Sequence, residues 1–194
     1  PWGMQIVNRY AILKAMWNPA VDPDEVVWDF CDHAFLAASA DMQKFVSAIE
    51  AAMQTAHCDG SYCTAWMTSD ALAAARGFLE AAQTAAAGDA VAALRLREWA
   101  WHFRYAELAG PAYNLWLKTL RSYKENPDPE PMREAIRLGE AAWKYRKEMM
   151  EQFPAERFST GWRLRDHIGA DGDWPVLLQR VEKRALLRNK PEKQ

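Results

Sequence analysis

The sequence predicts an all-α fold, a bundle of about seven to eight helices. Apolar residues recur at steps of three and four along most of the chain, which is the period of an amphipathic helix. Half of the 194 residues are apolar, and only 9 Gly and 10 Pro interrupt them. A chain of this length can bury a substantial core, so residues 1–194 are expected to form a single helical domain.

The first two helices are separated by a turn that the sequence marks clearly. The first helix, within residues 1–20, ends because Pro19 disfavours helical backbone at the preceding residue. Asp22, Pro23 and Glu25 then have the spacing of a capping box, in which side chains cover the free amides of a helix start. The apolar stripe of the first helix consists of Ile6, Tyr10, Leu13 and Trp17.

The middle of the chain predicts three or four more helices. Their starts are indicated by residues that accept hydrogen bonds from helix amides: Ser39, Thr68 or Ser69, and Asp89. The helix from Asp89 should run to about Ala109. Gly110-Pro111 either kinks that helix or separates it from a sixth helix, residues 112–125.

The last third of the chain predicts two helices and an aromatic loop. One helix spans about 131–152, and the other begins at Asp173 and Pro175 and ends near Leu187. Residues 153–173 are too aromatic for a flexible linker and are expected to be an ordered loop. The charged tail, residues 188–194, should fray.

The fifth helix carries two apolar stripes where a surface helix carries one. We therefore expect it to be central, with polar strips that are solvated, paired or turned toward a groove. One strip contains Arg95, Glu98 and His102. The two stripes are Leu94, Trp101, Tyr105 and Leu108, and Leu96, Trp99, Phe103 and Ala106.

Charge and motifs narrow the function classes. With 24 basic and 26 acidic residues the net charge is −2, so no basic excess exists to neutralise a nucleic acid, which is not an expected partner. No apolar run reaches the roughly 20 residues that span a bilayer. The chain has no nucleophile elbow, no glycine-rich phosphate loop and no metal-binding motif, so no catalytic residue, metal or cofactor is predicted.

The three cysteines carry little functional information. Cys31 lies in a helical apolar pattern and is interpreted as a small core residue. Cys58 and Cys63 flank Asp-Gly-Ser-Tyr, where a disulfide forms if the turn brings their Cβ atoms together. The spacing alone leaves both the bridged and the free form open.

Two groups of residues are candidates for ligand binding, and each has a structural alternative. The late loop carries Trp162, Arg163, Arg165, Asp166 and His167, followed by Trp174. Aromatic rings beside polar groups bind sugars, but such a cluster also clamps a loop. The second group is the Arg95, Glu98 and His102 strip, in which His102 is also interpretable as a buried core histidine. Four other tryptophans, Trp17, Trp28, Trp116 and Trp143, are expected to fill spaces between helices.

The first fifty residues resemble bacterial glycoside hydrolases that carry the domain of unknown function 4838. The matching residues are Tyr10 to Leu13, Met16-Trp17-Asn18-Pro19, Asp22 to Val27, Phe30, Phe35, Ala37-Ala38, Met42 and Phe45. Leu94-Arg95-Leu96 and the aromatic residues after it look like the central helix of that family. This chain departs from the family at Asn18, where Asp is common, and at Leu36-Ala37, which replaces a Gly-Pro turn.

The resemblance implies that this chain is the end of a larger protein. In that family a helical region follows a catalytic barrel, whose carboxylates have no counterpart here. It also implies a secreted or periplasmic enzyme that acts on complex glycans, with the barrel as the partner of the first helix. A helical region separated from such a partner should expose an apolar face on its first two helices.

Three functional hypotheses follow from these observations. The first is a C-terminal helical accessory domain that supports the barrel of a glycoside hydrolase. The second is a stand-alone helical module that binds a glycan or a protein through residues 153–174. The third is an independent all-α enzyme that uses Arg95, Glu98 and His102 in a groove open to solvent.

Overall fold

The fold is all-α, as the sequence predicts. A computed structural model describes residues 6–56, 65–152 and 174–188, and no strand occurs in these ranges. Seven α-helices lie in them: α1 (Ile6–Trp17), α2 (Pro23–Phe35), α3 (Ser39–Thr55), α4 (Ser69–Ala85), α5 (Ala90–Ser122), α6 (Glu130–Gln152) and α7 (Trp174–Arg188). A short 3₁₀ helix, Leu36–Ala38, joins α2 to α3.

The described residues divide into two compact units. The first unit contains the residues up to Arg104, and the second contains those from Tyr105 onward. Each unit has its own apolar core. Because α5 contributes residues to both units, this division does not test the prediction of one domain over residues 1–194.

The core of the first unit is built from helices α1 to α5 and contains several aromatic rings. Phe35, Phe45 and Phe103 are fully buried, and Trp99 lies between Phe35 and Phe45 with both ring pairs edge to face. Small alanines on α4 face the same core and let the helices approach closely. This aromatic core also forms the inner wall of the pocket described below.

Three predicted helix caps are confirmed by hydrogen bonds. The Asp22 carboxylate accepts from the amide of Asp24 at 2.9 Å, and the Thr68 hydroxyl accepts from the amide of Ala71 at 3.2 Å. Asp89 accepts from two amides at the start of α5, each at 2.9 Å. These short polar side chains satisfy amides that have no partner within the helix.

The predicted cap at Ser39 is wrong. Ser39 is the first residue of α3, the cap position belongs to Ala38, and no side chain caps it. The Ser39 hydroxyl donates instead to the Asp32 carboxylate on α2. The reason is the 3₁₀ turn before α3, which leads the backbone directly into the helix.

Leu36 has a backbone conformation that suits glycine. Its φ is 50° and its ψ is −116°, in the positive-φ region that L side chains rarely adopt. A Cβ atom at positive φ costs about 1–2 kcal/mol. The turn between α2 and α3 therefore has a glycine-type backbone although a leucine occupies it.

We expect Leu36→Gly to raise the free energy of unfolding by about 0.5–1 kcal/mol, because relief of the strain exceeds the entropy cost of glycine. Leu36 is half exposed, so little buried area is lost. Leu36→Ala is the control, since it removes the same side chain but keeps the Cβ. Urea denaturation measures the free energy of unfolding of both variants. If the glycine variant lost as much stability as the alanine variant, the inference of backbone strain at Leu36 would be wrong.

The second unit has a separate core around Trp174. The buried residues of α5, α6 and α7 in this core are Ala109, Ala112, Tyr113, Met132, Ala135, Ala142, Trp174, Leu177 and Val181. Pro111 lies inside α5, so the predicted fifth and sixth helices are one helix. The end of α7 is held by Arg188, whose guanidinium donates to the Glu125 carbonyl at 2.7 Å. Residues 189–194 lie outside the described ranges.

The two predicted apolar stripes of α5 differ in how their residues are buried. Leu96, Trp99 and Phe103 are buried in the core of the first unit, as expected for a central helix. Leu94 is exposed, whereas Tyr105 and Leu108 pack against the core of the second unit. The first stripe therefore does not form one continuous buried face.

Candidate functional site

A pocket of about 470 Å³ opens in the first unit between α1, α2 and the N-terminal part of α5. We call it the α1–α2–α5 pocket. Its volume lies in the range of small-molecule sites, about 300–1,000 Å³. It is lined by Ile6, Tyr10, Phe30, His33, Ala34, Phe35, Arg95, Glu98 and Trp99.

The apolar wall of this pocket is a continuous series of aromatic contacts. Tyr10 packs on Phe30 with ring centroids 5.5 Å apart, and Phe30 meets Phe35 edge to face at 5.9 Å. Phe35 in turn meets Trp99 edge to face at 5.4 Å. Because Phe35 and Trp99 are buried, only limited parts of these rings face the cavity.

Arg95 is held in place by the C-terminal end of α2. One guanidinium nitrogen, Nη1, donates to the Ala34 carbonyl at 2.8 Å and lies 3.4 Å from the His33 carbonyl. The last carbonyls of a helix carry partial negative charge and lack partners within the helix, so they attract a cation. The guanidinium is thereby fixed at one edge of the pocket.

A polar cluster around Asp29 fastens α1 to α2 beside the pocket. The Tyr10 hydroxyl donates to the Asp29 carboxylate, and Lys14 Nζ lies 3.1 Å from Asp29 Oδ2. His33 Nδ1 is 3.3 Å from Asp29 Oδ1 and 2.8 Å from the Asp29 carbonyl. The hydrogen bond from Tyr10, followed by the one from Lys14, lowers the pKa of Asp29 below its usual value. This cluster was not predicted from the sequence; the i,i+4 pairs Tyr10–Lys14 and Asp29–His33 are the signal that could have indicated it.

The predicted Arg95, Glu98 and His102 strip is only partly brought together. Arg95 and Glu98 both line the pocket, whereas His102 is not among the described residues that line it. Burial lowers the pKa of His102, which favours its neutral form at pH 7. The strip therefore supplies one cation and one carboxylate to the pocket.

The late-loop candidates are mostly outside the described residues. Trp162, Arg163, Arg165, Asp166 and His167 lie there, as do Cys58 and Cys63, so their predictions stay predictions. Trp174 is described, and only 1% of it is exposed. It stacks on Trp116 at 5.9 Å and belongs to the core of the second unit rather than to an exposed surface.

A second feature of the first unit is an exposed apolar face on α1, which we call the α1 surface. It consists of Ile12, Leu13, Met16 and Trp17, each more than half exposed, with Trp17 at 92%. The residues are spaced at i, i+1, i+4 and i+5, so they share one side of the helix. The expectation that Trp17 and Trp28 fill spaces between helices is wrong, since Trp28 is also half exposed.

The described residues give little support for a metal site, a reactive cysteine or a membrane span. No group of His, Cys, Asp and Glu among them is arranged to hold a metal ion. Burial raises the pKa of the Cys31 thiol to about 12, so at neutral pH this buried cysteine is a protonated core residue, as expected. None of the described helices is both long and apolar enough to cross a membrane.

No protein-family model matches the chain, and neither a curated protein nor a solved structure matches it.

Proposed function

We propose that this chain is the C-terminal helical support domain of a glycoside hydrolase, and that the α1 surface packs against the catalytic barrel of the same polypeptide. The observation that carries this proposal is the exposure of four large apolar side chains on one side of α1, with Trp17 almost fully in water. Tryptophan is enriched at the centres of protein interfaces, where a partner covers the indole.

The turn after α1 does not need Trp17. The Asn18 amide donates to the Lys14 carbonyl at 2.8 Å, and the Asn18 side chain accepts from the Ala20 amide at 3.1 Å. The Asn18 carbonyl accepts from the Val21 amide at 3.1 Å. Because backbone and Asn18 satisfy the turn, the exposed indole has no structural role within it, which favours a role in contact with a partner.

α1 is anchored to the rest of the first unit by other residues of the helix, so the α1 surface is held in a defined position. Val7 is buried in the core of the first unit, and Tyr10 and Lys14 bind Asp29 on α2. A helix that is already fixed loses little conformational entropy when a partner covers its exposed residues. This arrangement suits a permanent contact with a neighbouring folded domain.

The choice of a barrel as the partner rests on the resemblance. The exposed Met16 and Trp17 belong to the Trp-Asp-Pro-like turn that the family shares, and Asn18 accepts the hydrogen bond that an aspartate would accept. The positive φ of Leu36 lies where the family has glycine. In this proposal the barrel holds the catalytic carboxylates, and the helical units stabilise it and border its glycan cleft.

The alternative of a stand-alone glycan- or protein-binding module that uses residues 153–174 has weaker support. Trp174, its one described candidate, is buried and stacked on Trp116. A separate module would also leave the exposure of the α1 surface without an explanation.

The first test compares glycan hydrolysis by this chain with hydrolysis by the full-length product of its gene, with released sugars identified by mass spectrometry. We expect activity in the full-length product alone. Hydrolysis by the 194-residue chain itself, or a gene product without a barrel, would contradict the proposal.

The second test asks whether Trp17 lies in the interface. In the 194-residue chain, Trp17→Ala should change the free energy of unfolding by no more than about 0.5 kcal/mol, because the side chain is exposed. In the full-length product, the same substitution should cost about 2 kcal/mol or more and speed proteolysis between barrel and helices.

Leu186→Ala is the matched control, since Leu186 on α7 is also a largely exposed apolar residue. It should have no comparable effect in either protein. Equal effects of the two substitutions in the full-length product would rule out the α1 surface as the interface. Concentration-dependent dimerisation of the 194-residue chain that Trp17→Ala abolishes would assign the surface to a second copy instead.

A further inference from the structure

We propose that the α1–α2–α5 pocket binds a small zwitterion with an aromatic body, that is, a free aromatic α-amino acid. This inference goes beyond the support function, because the pocket and the α1 surface share no residue. It rests on three features of the pocket: a fixed cation, a carboxylate one helical turn away, and a wall of aromatic rings.

Arg95 supplies the site for the ligand carboxylate. A guanidinium has five N–H donors and remains charged at every relevant pH. The described contacts of Arg95 are to the Ala34 and His33 carbonyls, and both use Nη1. Nε and Nη2 therefore keep donors for a carboxylate, and the anchored guanidinium presents them in a fixed geometry.

Glu98 supplies the site for the ligand ammonium group. It follows Arg95 by three residues on α5, so the two side chains are neighbours on the helix, about 5–6 Å apart at Cβ. A carboxylate accepts several hydrogen bonds, so Glu98 can bind an ammonium group in addition to its other contacts. A ligand whose ammonium and carboxylate groups are attached to the same carbon atom can reach both residues at once.

The aromatic wall favours a ring over a sugar. Sugars stack on broad exposed ring faces, whereas Phe35 and Trp99 are buried and already packed edge to face. An incoming aromatic ring can extend the series of ring contacts that runs from Tyr10, tilted on Phe30, to the edge-to-face pair of Phe30 and Phe35. The cavity of about 470 Å³ accommodates a one- or two-ring amino acid together with water.

The test is isothermal titration calorimetry of the 194-residue chain with four probes. L-Phenylalanine carries the ring and both charges, 3-phenylpropionate lacks the ammonium group, and phenethylamine lacks the carboxylate. N-acetylglucosamine represents a sugar. We expect L-phenylalanine to bind, and each truncated probe to bind at least about tenfold more weakly, because each loses a charge-assisted hydrogen bond.

Charge-removing variants assign each half of the ligand to its residue. Arg95→Gln should remove the preference for L-phenylalanine over phenethylamine, and Glu98→Gln should remove the preference over 3-phenylpropionate. Arg97→Gln is the control, since Arg97 is exposed on the same helix, lies over the Trp101 ring and does not line the pocket. Thermal unfolding verifies that each variant folds. Because Arg95 also holds the end of α2, Arg95→Gln is the variant at risk of not folding. In that case Glu98→Gln alone still tests the proposal.

Three outcomes would overturn the inference: no binding of L-phenylalanine, equal binding of the three aromatic probes, or tighter binding of the sugar. Trp17→Ala should leave L-phenylalanine binding unchanged, since Trp17 does not line the pocket. A failure of the pocket and a failure of the support function are therefore seen in different variants and different assays.

Discussion

Replacing Phe45 by alanine is expected to lower the free energy of unfolding of the first unit by about 3–5 kcal/mol. Phe45 is fully buried on α3. Its ring meets Trp99 edge to face at 5.9 Å and Phe103 at 5.2 Å, so it joins α3 to α5. The substitution removes a whole ring and leaves a cavity that rigid aromatic neighbours cannot close, which places the cost at the upper end for core residues.

Urea denaturation followed by far-ultraviolet circular dichroism measures this loss. Phe78→Ala is the matched control, because Phe78 packs against the same core but is only partly buried. The same change of side chain should therefore cost clearly less at residue 78. An equal cost at both positions would show that Phe45 is not a central contact of the first unit.

The starts of α2, α4 and α5 could be predicted because they depend on local chemistry. Asp22, Thr68 and Asp89 each accept hydrogen bonds from amides two or three residues later, a contact that a short polar side chain makes without help from the rest of the fold. Pro19 and Pro23 act in the same local way, through fixed backbone angles. Such signals are visible in one sequence because both partners lie within one helical turn.

Local chemistry could not decide whether α5 continues through its middle, at Gly110 and Pro111. Gly110 and Pro111 together are a strong signal for a helix end, yet α5 continues to Ser122. Ala109, Ala112 and Tyr113 on either side of that pair are buried in the core of the second unit. Burial of these neighbours offsets the lost hydrogen bond of the proline, and a single sequence does not show which neighbours are buried.

Only part of the candidate site could be predicted from the sequence, for a related reason. The α5 strip indicated Arg95 and Glu98, but the groups that make them a pocket come from α1 and α2, some 60 or more residues earlier. The α1 surface could not be predicted for a different reason. Ile6, Tyr10, Leu13 and Trp17 have the same spacing whether a helix faces its own core or a partner, so the pattern could not show that Trp17 is exposed.

Replacing Trp174 by alanine is expected to lower the free energy of unfolding of the second unit by about 3–5 kcal/mol. Its indole stacks on Trp116 at 5.9 Å with an interplanar angle of 9°, and meets Tyr113 edge to face at 5.7 Å. Trp174 thus joins the start of α7 to α5. A residue that contacted a ligand from an exposed position would instead be replaced at almost no cost to stability.

A comparison of two substitutions at this position tests the core assignment more sharply. The Nε1–H group of Trp174 is buried without a hydrogen-bond partner among the described residues. Trp174→Phe keeps a ring against Trp116 and removes that unpaired donor, so it should cost no more than about 1.5 kcal/mol, much less than Trp174→Ala. Val176→Ala, at a half-exposed position on the same helix, should change stability by less than about 0.5 kcal/mol. Near-ultraviolet circular dichroism during urea denaturation measures all three; equal costs for the phenylalanine and alanine variants would mean that the ring contacts with Trp116 and Tyr113 do not stabilise the second unit.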